Sequence, residues 1–109
     1  MADEAFQRRA AAHIQSSFPD QANNCADLKS IVHQLISRAR SYGLEWESSL
    51  LSFVSLAFAL GPRFDQHPKV NAVLMDTGIF HGDRVPMLLA ALSPDDWDEV
   101  ELFARSAGA

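Results

Sequence analysis

At 109 residues, 48% of them apolar and 21% charged, the chain is long enough to bury one core and too apolar to be disordered. A net charge of −5, with nine scattered Lys and Arg, sets it against nucleic acid, whose binding draws on clustered cations. Its single cysteine, Cys25, excludes an internal disulfide and suits a reducing compartment.

Met1–Ala5 carries acids where a signal peptide carries lysines, so a cytoplasmic location is expected. Helical spacing then dominates, and no segment alternates as a half-buried strand does. A first helix is predicted over about 3–17, with Phe6, Ala10 and Ile14 on one face. Phe18-Pro19 ends it, because a proline disfavours helix in the residue before it. Gln21–Asn24 reads as a polar loop. The second helix, about 27–42, carries Leu28, Ile31, Val32, Leu35, Ile36, Ala39 and Tyr42 in one apolar stripe. Arg38 and Arg40 lie near its end, where the helix dipole favours cations, and Gly43 is placed to cap it.

The third helix, about 45–60, is apolar round most of its circumference and is expected at the centre of the fold. Phe53, Phe58 and Leu60 are assigned to the core, and Trp46 leans the same way. Ser48, Ser52, Ser55 and Ala59 form a narrow stripe of small side chains. That stripe is either a face closely approached by a neighbour or the strip left to solvent. The apolar run Leu50–Leu60 is eleven residues, against the ~20 that a membrane span needs. Gly61-Pro62 stops this helix.

Pro68 opens a short fourth helix to about Asp76, closed by Thr77-Gly78. Asp83 with Pro86 starts a fifth, ending at Leu92. Ser93-Pro94-Asp95-Asp96 starts the last, with a Ser cap, Pro at the first position and acids in the first turn. It carries Trp97, Val100, Leu102 and Phe103 to about Ser106. The fold class is all-α: one domain, 1–109, an irregular orthogonal bundle of five to six short helices around a central one at about 45–60.

Candidate sites are sparse. Asp76-Thr77-Gly78 matches the aspartic-protease triplet, but that chemistry needs two aspartates sharing a proton on a strand-rich scaffold, and a helix end is the better reading. Asp65-x-His67 and His81-x-Asp83 are candidate metal ligands without zinc-like spacing, so no metal is assigned. His67, before a proline, is expected to bond backbone at the corner. Ser48, Ser49, Ser52 and Ser55 lie inside a helix, not on the strained turn that activates a nucleophile. Arg63 and Arg84 are placed to pair locally with Asp65 or Asp83. No catalytic residue and no cofactor are assigned.

The sequence 95–101 holds five acids in seven residues, which the helix dipole explains in part. The remainder reads as an acidic face for a protein partner: Asp95, Asp96, Asp98 and Glu101, with Trp97 among them either as anchor or as core packed on Leu92 or Val100.

The segments Ser41-Tyr42-Gly43-Leu44, Phe53-Val54-x-Leu56 and Leu60-Gly61-Pro62-x-Phe64-Asp65-x-His67-Pro68, echoed at Pro94-x-x-Trp97, resemble small helical proteins encoded in bacterial type VI secretion clusters. The resemblance covers roughly 39–74. It implies a non-enzymatic co-chaperone or adaptor that helps load a secreted effector through a partner chaperone, and it carries over no catalytic residues. The alternative is an immunity protein that neutralises a toxin, for which a charge of −5 would steer binding to a basic nuclease. Neither partner is a nucleic acid or a membrane, and oligomeric state is not legible.

Overall fold

The helical spacing becomes seven α-helices, with no strand among the described residues, 2–24 and 26–107 of a computed structural model. Cys25 lies outside the described residues. α1 (Ala2–Ser17) buries Phe6, Ala10 and Ile14 as its stripe requires. The stretch expected as a polar loop is mostly a single-turn helix, α2 (Pro19–Asn23). Pro19 suits its first turn, and Ala22 is buried beneath it.

α3 (Leu28–Ser41) starts where Asp27 accepts the Ser30 N–H at 3.2 Å. It ends in a Schellman motif: Leu44 N–H reaches Ala39 O, and Gly43 N–H reaches Arg40 O. That geometry puts Gly43 at φ 93°, a value only glycine adopts freely. Val32, Leu35, Ile36 and Ala39 are buried, while Ile31 is left 37% exposed.

α4 (Glu47–Leu60) starts two residues later than expected, because Trp46 is extended and serves as its N-cap. It is the central helix, packed against α1, α3 and two later helices, with Leu50, Phe53, Val54 and Ala57 buried. Phe58 and Leu60 are only half-buried, correcting their core assignment. Phe58 lies on the flank facing a cleft and stacks on Phe18, with ring centroids 6.4 Å apart. The small stripe is the side left open: Ser48 is exposed, and Ser52, Ser55 and Ala59 are half-buried.

Gly61, at φ 141°, lies under the last helix, where a Cβ would come within 2.7 Å of the Ala104 Cβ. A 3-10 turn (Phe64–Gln66) follows and drives Phe64 into the core, its ring 5.0 Å from that of Phe53. α5 (Pro68–Leu74), α6 (His81–Ala91) and α7 (Pro94–Ala107) complete the chain. α6 begins two residues before Asp83, leaving Pro86 inside it. The radius of gyration, 13.4 Å, matches the ~13 Å of a compact chain of this length. No helix of the described residues is long and apolar enough to cross a membrane.

Candidate functional site

The corner after α4 is held from a distance. Asp65 is fully buried, with Arg38 Nη2 of α3 3.1 Å from its Oδ1. Tyr42 donates its hydroxyl to Asp65 Oδ2 at 2.7 Å. Burial, and then the Asp65 carboxylate as acceptor and as charge, push the Tyr42 phenol up to about 12, since each disfavours a phenolate. Arg38 also donates to the Pro62 carbonyl. The ion pair expected locally from Arg63 is therefore made across 27 positions by Arg38, and Arg63 is left exposed.

Arg84 departs from expectation in the same way. It is 8% exposed and pairs with carbonyls instead of Asp83. Its guanidinium donates to Tyr42 O at the end of α3, to Leu74 O at the end of α5 (3.3 Å), and to Ile79 O (3.0 Å). A cation set against two helix C-termini is favoured by both dipoles.

The metal candidates are spent elsewhere. His67 caps α5, its Nδ1 accepting the Lys69 N–H at 3.2 Å, and its ring stands edge-on to Phe103. That is the backbone role expected of it. His81 Nε2 faces Glu45 Oε2 at 3.2 Å, not Asp83. Among the described residues no three His, Cys, Asp or Glu side chains are grouped to hold a metal. Asp76-Thr77-Gly78 forms an exposed turn just past α5, Asp76 accepting the Gly78 N–H at 2.9 Å.

The acidic start of α7 divides into two kinds of residue. Asp96 closes a capping box: its amide donates to Ser93 Oγ (3.2 Å) and its Oδ2 accepts the Ser93 N–H (3.0 Å). It also accepts from Lys69 Nζ at 2.7 Å, and these contacts, Lys69 foremost, hold its carboxyl down at about 2. Glu99 takes the same Lys69 at 2.9 Å, and the two carboxylates raise the lysine above its ordinary value. Glu101 pairs with Arg105 one turn on, at 3.4 Å. Trp97 is half-buried and packed against the core. Asp95 and Asp98 are the exposed remainder of the predicted face.

Of the two tryptophans, the one expected to lean toward the core is the exposed one. Trp46 is 50% exposed and lies beside Phe80, itself 53% exposed, with ring centroids 5.2 Å apart at 73°. It also meets the His81 ring edge-on at 5.5 Å. Gly82 makes this possible, because a Cβ there would sit 2.5 Å from the indole. Acids on both sides of Trp46, Glu45 and Glu47, were the available signal, the same pattern that singles out Trp97. Gly82 also begins a cleft of 180 Å³ between α4 and α6, lined by Ser49, Ser52, Val85, Pro86 and Leu89. Through Ser52 and Leu89 this cleft adjoins a second, of 280 Å³, lined by Leu51, Leu56 and His13 of α1.

The arrangement offers binding area: an aromatic pair, a groove beside it and a partly neutralised acidic helix start. No family model, curated protein or solved structure matches this chain.

Proposed function

We propose that this chain is a non-enzymatic protein-binding module, acting as an accessory chaperone or adaptor that helps load a type VI secretion effector through a partner chaperone. The observation that carries the binding role is the exposed Trp46–Phe80 pair, standing outside a core that closes without it. Tryptophan is enriched among the few residues that dominate interface energies, and exposing it in water wastes its apolar area. The secretion assignment comes from the likeness of the helix–corner–helix segment. Asp95 and Asp98 remain candidates for a subsidiary contact on α7, beside Asp96, Trp97 and Glu101.

Co-expression tests this reading. The chain should co-purify with an adaptor chaperone and raise effector solubility while leaving the effector toxic. Direct binding to the toxin with rescue of growth would instead establish an immunity protein.

A further inference from the structure

The Trp46–Phe80 pair and the groove that opens at Gly82 form one surface. Trp46 caps the N-terminus of α4, Phe80 that of α6, and the groove runs on between these two helices. Leu89, 51% exposed, stands on its far wall and is shared with the second cleft. From Ser48 to Ser55 the floor is about 10 Å long at helical rise, enough for two turns of a docked helix.

Carboxylates stand round the aromatic end, with the exposed cation Arg40 lining a cleft beside Glu45. Glu45 keeps 76% of its side chain exposed while touching His81, and Asp83 is exposed one turn from Phe80. Glu47 is joined to Arg9 at 3.0 Å, with both side chains more than half exposed. The nearby cation Arg84 is buried and occupied by carbonyls. Glu45 and Asp83 are therefore the exposed carboxylates nearest the aromatic pair. An indole face flanked by carboxylates suits a guanidinium, which stacks on the ring and pairs with the acids.

We propose that this surface docks a basic amphipathic helix of a partner protein, its apolar face in the α4–α6 groove and an arginine over Trp46 and Phe80. This rests on the reading of the chain as a binding module, but not on the identity of the secretion partner. Helix-in-groove recognition places anchors at three- and four-residue spacing, which the groove length accommodates. Gly82 and His81 act as positioning residues that prop the indole at the mouth of the groove.

The test is selection of a displayed library of random peptides, about 15 residues long, on the purified full chain. Selected sequences should combine Arg with Leu-like residues at helical spacing. Trp46→Ala should weaken them roughly 30-fold, as truncation of an interface anchor does. Leu89→Ser should also weaken them. Glu45→Gln with Asp83→Asn should cost about threefold to tenfold and flatten the salt dependence. Unchanged circular dichroism in each variant separates loss of contact from loss of fold.

Selected peptides that are acidic or uncharged, or that bind Trp46→Ala as well as the parent, would overturn the proposal. So would a concentration-dependent dimer abolished by Trp46→Ala, since a second copy would then be the occupant. Peptides sensitive only to Asp95→Asn and Asp98→Asn would keep the binding-module reading and move the site to α7. A library that yields no binder would remove both.

Discussion

Tyr42 and Asp65, 23 positions apart, are joined by a 2.7 Å hydrogen bond from the phenol to a carboxylate that is fully buried. The bond ties the C-terminal cap of α3 to the 3-10 turn after α4, so the corner depends on a helix that precedes it by a whole element. Arg38, one turn before Tyr42, supplies the balancing charge. Removing Arg38 leaves the Asp65 carboxylate buried with its balancing charge gone.

Arg38→Ala should therefore cost about 3–5 kcal/mol, the usual penalty for leaving one charge of a pair buried and uncompensated. Tyr42→Phe removes one hydrogen bond to a charged acceptor and should cost about 1.5–3 kcal/mol. Urea denaturation of the two variants and the parent checks both values, and the order of the two losses is the stricter test.

The same contact predicts an alkaline transition that can be seen directly. Tyr42 is the only tyrosine, so phenolate absorbance reports it alone. Its folded value of about 12 stands above the ordinary 10.0, so its contribution is whole below 10 and is lost as pH rises toward 12. Titration of folded protein should give a midpoint near 12, and denatured chain one near 10.0. Coincident midpoints would show that the phenol is not held by Asp65.

Two phenylalanines of α4 should separate. Phe53 is fully buried between Tyr42 and Phe64, and Phe53→Ala should cost about 3–5 kcal/mol. Phe58 is half-buried against Phe18 at the edge of a cleft of 290 Å³. Phe58→Ala should cost clearly less, because water and relaxed neighbours can fill the space. Melting curves of the pair measure the difference.

Gly61→Ala should destabilise by about 2 kcal/mol or more. Its φ of 141° is strained for any residue with a Cβ, and the added methyl would stand 2.7 Å from Ala104. Trimming Ala104 to Gly in the same chain should relieve only the Cβ clash, because the Ala104 backbone carbon still stands 3.2 Å away and a glycine inside α7 itself costs about 1 kcal/mol.

The start of α7 gives a prediction in acid. Ser93→Ala should cost about 1 kcal/mol through loss of the capping bond to the Asp96 amide. Asp96 has a folded value of about 2 against 3.8 ordinarily, so its contribution is whole above 3.8 and is lost as pH falls toward 2. Carboxyl chemical shifts followed by NMR should show Asp96 titrating near 2 in the folded chain and near 3.8 in the denatured one. Charge reversal at Asp96 would unsettle the helix start, so Asp95 and Asp98 are the cleaner probes of an acidic docking face.

Residue spacing and capping chemistry by themselves determine most of the secondary structure. The stripe of α3, Gly43 at its end, the central position of α4 and the Ser93 start of α7 are all local: a 3.6-residue period, a left-handed cap, a polar cap side chain. Nothing local could decide which arginine meets Asp65, since Arg63 is two residues away and Arg38 is twenty-seven. Pairing was settled by which side chain the packing of α3 against α4 delivers to the corner. The tryptophans make the same point. Each has acids for neighbours, so sequence cannot tell anchor from core. Val100 and Ala104 turn the face of α7 inward with Trp97 beside them, while Gly82 leaves the gap that the exposed Trp46 indole occupies. Exposure is a property of what stands opposite a residue, and only the tertiary structure supplies that.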